Sequence, residues 1–256
     1  MQKSVSLTEL TRFLQAWAPF ETAEAWDNAG VLVRCGEAVT GVLCALDITP
    51  ATVAEAEAAG CNVVVSHHPV IFRPLKGLSQ RDVPALLLRA GISAVCLHTN
   101  LDRAAGGVND VLAARLGLLN IEPFAEGIGR TGLLPRPMRP QELAAYTAKA
   151  LDTPVKYAPA EKSIVRVAVV SGSGGDYAKE AAEAGADCLV TGEAGHHDAL
   201  DALAAGISVV AATHFATETL ITDALAQRIG AAYPALRVLR SKADADPFLY
   251  DPACEK

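Results

Sequence analysis

The sequence has no run of Lys or Arg, and 29 acidic against 22 basic side chains leave a net charge of −7. An acidic chain without a basic stripe lacks the electrostatic footprint of a DNA or RNA binder, so no nucleic-acid partner is expected. There is no uncharged apolar stretch of about 18 residues, the length a membrane-spanning helix needs. The opening MQKSVSLTELTRFLQAW has neither the apolar segment nor the cleavage site of a secretory signal. Together these absences imply a cytoplasmic protein with no membrane contact. A CxxC pair is also missing. The six cysteines, at 35, 44, 61, 96, 188 and 254, are scattered, and Cys44, Cys61, Cys96 and Cys188 lie in or beside apolar runs. Free buried thiols in a reducing compartment are the expectation, not a disulfide framework. Finally, there is no glycine-rich phosphate loop. A phosphorylated ligand would have to be held by metal ions, by strand-end amides, or by Arg73, Lys76 or Arg130.

What the sequence does have is apolar material, 51% over 256 residues, enough for a large core in one domain or two lobes. Ser6-x-x-Glu9 is a capping-box pattern opening a helix to about Trp17. GVLCALD (41–47), CNVVVS (61–66) and ISAVCL (92–97) read as buried strands. Between them, Thr49-Pro50 opens a helix that stops at Gly60, and a second helix near 82–90 stops at Gly91. The Gly- and Pro-rich stretch from 123 breaks this rhythm and reads as irregular, followed by one helix over 140–152. The rhythm then restarts with strands at 165–172, 186–192 and 207–213. AEAEAAGCNVVVSHH (54–68) aligns without a gap on KEAAEAGADCLVTGE (179–193), and AGISAVCLH (90–98) aligns on AGISVVAATH (205–214) with one insertion. Both matches continue as His-x-x-x-carboxylate. The pattern implies an α/β fold of two pseudo-symmetric βαβαβ-type lobes with mostly parallel sheets. The lobes are expected over 1–122 and 163–256, joined by a connector with one helix over 123–162, with a metal site in the cleft between them.

All six histidines fall at or near the carboxyl ends of these strands, where open α/β sheets bind ligands. Ser66-His67-His68-Pro69 ends an apolar strand. A surface turn with two solvated imidazoles is the competing reading. An extended backbone sends neighbouring side chains to opposite sides, which suits two ions better than one. In His98-Thr-Asn-Leu-Asp102, the Asp102 carboxylate can bridge two cations, while His98 either ligates or orients a ligand; an orienting or substrate-contacting role is preferred. His214 and Glu218, four apart at a helix start, share one face. Glu193, His196 and His197 are expected near the site without ligating, and Arg130 as a substrate contact. The donor set His67, His68, Asp102, His214 and Glu218 suits two divalent transition-metal ions, Zn, Fe or Mn.

These residues resemble the Nif-three-like dinuclear metal-centre family, whose members are often named GTP cyclohydrolase I type 2 homologues. The resemblance spans nearly the whole chain. It is carried by Trp26-Asp27-Asn28-Ala29-Gly30, Leu46-Asp47, Ser66-His67-His68-Pro69, His98-Thr99-Asn100-Leu101-Asp102, Gly127-Ile128-Gly129-Arg130, Thr191-Gly192-Glu193 and His214-x3-Glu218. It implies the same five metal ligands, a ring-shaped homohexamer and the short form without an inserted domain. The chain departs from the family pattern at Ala212-Thr213, where a glycine usually precedes the histidine, and mildly in the Ala-Gly-Val that continues the Trp-Asp-Asn motif. The implied function is a metal-dependent hydrolase acting on a nucleotide or related heterocycle as a small-molecule substrate. A non-enzymatic metal-handling or scaffold role and a di-iron redox role are the alternatives.

Overall fold

Ser6 accepts a hydrogen bond from the Glu9 amide at 3.0 Å and opens the first helix, α1 (Leu7–Trp17), in a computed structural model of the chain that describes residues 5–250. Cys254 lies outside the described residues. The chain then runs through β1 (Gly30–Val33), β2 (Gly41–Ala45), α2 (Pro50–Ala58), β3 (Val63–Ser66), α3 (Val83–Ala90), β4 (Ser93–Cys96) and α4 (Thr99–Arg103). Thr49 caps α2 with Pro50 at its first position, and Gly91 ends α3 in the left-handed region. Next come α5 (Val108–Arg115), β5 (Leu119–Phe124), β6 (Gly129–Met138), α6 (Pro140–Leu151), β7 (Lys156–Ala158) and β8 (Ile164–Val170). They are followed by α7 (Ala178–Glu183), β9 (Cys188–Thr191), α8 (His196–Ala204), β10 (Ser208–Ala211), α9 (His214–Glu218), α10 (Leu220–Ala232) and β11 (Arg237–Arg240).

Two compact units result. The first is Met1–Ala105 with Ile221–Ala245, and the second is Gly106–Leu220 with Asp246–Lys256. The first holds a five-stranded sheet ordered β1-β4-β3-β2-β11, parallel except for β1. The second holds a six-stranded sheet ordered β5-β6-β8-β9-β10-β7, in which β8, β9 and β10 are parallel and the rest antiparallel. The three central strands of each unit match in topology. In each, an antiparallel strand that precedes them in sequence, β1 or β7, pairs with the third of them. Apolar packing on both faces explains why β2, β3, β4, β9 and β10 read as unbroken hydrophobic runs, every residue buried.

The stretch read as irregular from 123 is instead a strand pair, β5 with β6, at the edge of the second sheet. Its prolines misled the reading, yet each has a place compatible with a missing N–H donor. Pro123 is on the edge strand, and Pro135 and Pro137 fall where the β6–β8 register shifts between Leu133 and Met138. Gly129 is required by close approach, since a Cβ there would sit 2.2 Å from the Phe124 ring. The thiols of Cys44, Cys61, Cys96 and Cys188 are free and buried, that of Cys35 free and exposed. Among the described residues no helix is long and apolar enough to cross a membrane.

Candidate metal centre

Strand register assembles the first group of donors. Parallel pairing sets Ala45 opposite Ser66 and Ser66 opposite Cys96. Two residues beyond, the same register aligns Asp47, His68 and His98 across three strand ends, with His67 one step inside. The His67 and His68 amides continue the ladder onto the carbonyls of Ala45 and Leu46. Past β3, however, the Ser66 hydroxyl donates to the His68 carbonyl and the chain turns. The two imidazoles therefore do not diverge as an extended strand would send them. Their centroids are 5.2 Å apart, and each lies within 5.7 Å of the His98 ring.

Each of the three rings has its Nδ1 against an oxygen. His67 Nδ1 donates to the Leu97 carbonyl at 2.9 Å, His68 Nδ1 to Asp47 at 2.9 Å, and His98 Nδ1 to Asp27 at 2.8 Å. A carbonyl or carboxylate can only accept, so each Nδ1 carries a proton and Nε2 is the nitrogen left for a ligand bond. This is how metal-ligating histidines are usually held. One ligand-capable atom from each of His67, His68 and His98 lies within 4.8 Å of the others. Asp102, on α4, brings Oδ1 to 3.7 Å from His67 Nε2, with His67 fully buried. Two acceptors facing each other at that distance suit a shared cation, because ligands about 2.1 Å from one ion stand roughly 3 to 4 Å apart. The donor chemistry fits a transition metal. His98, read as orienting or substrate-contacting, here joins the imidazole group.

Asp27 anchors His98 and much else. It accepts from the Thr99 amide and hydroxyl and from the Asn28 amide. Burial pushes its carboxyl up, but the His98 and Thr99 hydrogen bonds outweigh this and bring it down to about 2. Asp244, on the segment after β11, accepts from the Leu46 and Asp47 amides and so supports the strand end bearing Asp47. Burial raises the Asp244 carboxyl, and those two hydrogen bonds only partly offset it. Sequence reading quoted Asp27 and Asp47 within motifs but gave neither a role, and it passed over Asp244.

The second unit uses the same register. Val170 lies opposite Thr191 and Thr191 opposite Ala211, so Gly172, Glu193 and Thr213 occupy the positions of Asp47, His68 and His98. The one-residue insertion seen in the repeat falls at Thr213, whose φ of +64° and ψ of 145° few side chains tolerate. Its hydroxyl caps α9 by accepting from the Ala216 amide at 3.3 Å. His214 then stands on the first turn of α9 with Nε2 2.9 Å from Glu218 Oε2 and Nδ1 3.5 Å from Glu193. Glu218 is 5% exposed. Glu193 takes a hydrogen bond from Ser173 that holds its carboxyl below the usual range, with the nearby His214 adding to the effect. Gly172 makes room: a Cβ there would lie 2.2 Å from Glu218 Oε1.

Three further expected residues, His196, His197 and Arg130, make other contacts. His196 and His197 open α8 as exposed residues, their rings 5.5 Å apart, and among the described residues they join no metal-capable group. Arg130 is buried. Its guanidinium grips Asp110 through Nε at 2.6 Å and Nη2 at 3.2 Å, and donates to the carbonyls of Gly127 and Gly129.

Comparison with known proteins agrees across the chain. The family model described as Duf34/NIF3 (NGG1p interacting factor 3) matches residues 5–247. A Lactococcus lactis protein named GTP cyclohydrolase 1 type 2 homolog is 34% identical over 93% of this chain and 96% of its own length. The crystal structure of Staphylococcus aureus hypothetical protein SA1388 is similar at a TM-score of 0.90 and 30% identity, covering 97% of this chain and 100% of that one. Reduced HcgD from Methanocaldococcus jannaschii is similar at a TM-score of 0.81 and 26% identity, covering 94% and 99%.

Proposed function

The chain belongs to the Duf34/NIF3 family, and from that premise we propose that it binds two divalent transition-metal ions and uses them to hydrolyse a nucleotide or related heterocycle. The observation that carries the reading is the histidine group, three imidazoles each oriented through Nδ1, with one ligand-capable atom from each within 4.8 Å of the others and Asp102 beside His67. The proposed ligands are His67, His68, Asp102, His214 and Glu218, with Zn, Fe or Mn as the ion. His98 is either a sixth ligand or an orienting group. Five or six donors shared by two ions leave coordination positions open to water or substrate. Bound ions of this kind activate water and stabilise charge on the attacked group.

The chain's own residues supply the rest. Leu97, Asp47 and Asp27 lock the three imidazoles in one tautomer and orientation. Burial of His67 keeps solvent from the inner face of the group. Asp102 and Glu218 bring the negative charge that offsets the ions. Glu193, braced by Ser173 as a carboxylate, faces His214. We further propose that the protein works as a homohexamer in the cytoplasm. The naming of the Lactococcus relative as a GTP cyclohydrolase homolog points to a purine nucleotide.

The test is elemental analysis and turnover together. Purified protein should carry up to two transition-metal ions per chain, and Asp102→Ala should lose most of them. Metal-loaded protein should hydrolyse a purine nucleotide and Asp102→Ala should not. Full metal in that variant removes Asp102 from the site. Full loading with no turnover on any nucleotide favours metal handling or a scaffold role instead. Light scattering that reports a monomer at micromolar concentration refutes the hexamer.

A further inference from the structure

Beside the histidine group the surface carries two large aromatic side chains that the fold does not bury. Trp26 is 60% exposed and Phe72 44%. They come from segments 46 residues apart in sequence, yet their ring centroids stand 5.8 Å apart, tilted by 54°. Both rings also meet His98, each at 6.1 Å and nearly edge-on. The arrangement is held in place. Asp27, next to Trp26, grips His98 and Thr99, and the Asn28 side chain donates through Nδ2 to the Ile71 carbonyl, next to Phe72. The Trp-Asp-Asn motif thus has three tasks: it supplies a ring, orients a histidine and ties down the segment that carries the second ring.

Exposed aromatic clusters mark binding surfaces, because leaving such area in water is unfavourable without a ligand to cover it. Rings that touch a metal-capable histidine restrict what that ligand can be. Its flat part must reach the reactive end of the site, so it is small and planar. The same loop adds Arg73 and Lys76, both exposed, in a chain of net charge −7. Local positive charge on an acidic protein suits an anionic group. We propose that Trp26 and Phe72 form an aromatic rim on which the base of a nucleotide stacks, with Arg73 and Lys76 taking up its phosphate charge. The proposal rests on reading the histidine group as the reactive end of the site.

The experiment uses the zinc-reconstituted full chain, with GMP and ribose 5-phosphate as probes, in equilibrium dialysis and tryptophan emission. GMP should bind and quench emission, and ribose 5-phosphate should bind at least tenfold more weakly. Trp26→Ala and Phe72→Ala should each weaken GMP binding at least fivefold, the lower end of what one stacked base contributes. Trp26→Phe should restore most of the affinity, and zinc content should not change. Equal affinity for GMP and ribose 5-phosphate overturns the rim, as does unchanged GMP affinity in both alanine variants. A shift in oligomeric state in those variants, with GMP binding intact, also overturns it and gives the rings to a subunit interface. Failure of the proposed reaction shows separately, as GMP binding that depends on both rings without turnover of any nucleotide.

Discussion

Thr213 offers the sharpest test of how the second half of the chain is built. It carries a φ of +64° immediately before His214. A non-glycine residue in that region costs on the order of 1–3 kcal/mol. Thr213→Gly removes the strain. Against this, the flexible unfolded chain loses about 0.5–1 kcal/mol, and replacing a threonine cap by glycine costs a few tenths of a kcal/mol, roughly 0.3. The cap is long at 3.3 Å, and the other side-chain contacts at stake are the Thr153 hydroxyl at 3.2 Å and a hydrogen bond with Tyr250. The balance is stabilisation by about 1 kcal/mol. Thr213→Ala keeps the strained backbone and loses the cap, so it should destabilise by about 1 kcal/mol.

The two variants together are more informative than either. At an unstrained position alanine is the more stable of the pair, so here the order should invert, with Thr213→Gly about 2 kcal/mol above Thr213→Ala. For a chain of this size the separation is roughly 4–8 °C in melting temperature, readable by circular dichroism. If Thr213→Gly melts below Thr213→Ala, the strain does not exist and the account of the insertion fails.

Three further outcomes follow from the same geometry. Gly172→Ala should cost at least about 1 kcal/mol, since φ is +60°. It should also weaken metal binding by displacing Glu218, which calorimetric titration would read; unchanged affinity would mean that Glu218 does not ligate. Asp27→Asn should lose about 2 kcal/mol of stability at neutral pH. Because the Asp27 carboxyl lies at about 2, below its unfolded value, the wild-type advantage should be complete above about pH 4 and vanish as pH falls to about 2; a pH-independent difference in denaturant titrations would contradict this. Arg130→Met should cost about 3 kcal/mol, the effect of stranding a partner of a mostly buried ion pair, while metal content stays unchanged; a variant that folds normally and loses only turnover would return Arg130 to a substrate role.

The central strands β2, β3, β4, β8, β9 and β10 were legible because each is a largely apolar run, buried throughout except at Val165 and Arg166 of β8, and the expected bounds differ from the observed ones by two residues at most. The edge strands were not. β7 and β11 are short and half-exposed, with burial too mixed to leave a periodic trace. β11 is also parallel to β2 after some 190 residues of intervening chain, a pairing no local pattern encodes. At the site, residue type was enough to pick out the histidines and Asp102. What holds them was not readable. Asp27 lies 71 residues from the His98 it orients, and Asp47 lies 21 from His68. Only register joins them, through strand pairings whose offsets sequence alone does not fix. Arg130 was open to two readings, because a lone arginine in a glycine-rich turn suits a ligand contact or a structural clamp equally well, and its partner Asp110 lies on a helix, α5, that no sequence pattern announces.

The matched strand positions of the two units show where their donors differ. At the strand position where the first unit places Asp47, the second places Gly172, and where the first has His68 the second has Glu193. In the first unit the carboxylate at that position orients an imidazole from the neighbouring strand. In the second, a side chain there would collide with Glu218, whose oxygen lies 2.2 Å from where a Cβ would be. The carboxylate has therefore moved from the strand end to the helix that follows β10, and His214 on that helix faces it directly. The same arrangement of strand ends thus carries a nitrogen-rich group in the first unit and an oxygen-rich group in the second. Gly172→Asp, which copies the Asp47 of the first unit, should expel Glu218 and leave the second group without its buried carboxylate. The glycine at 172 is therefore what leaves room for the Glu218 carboxylate.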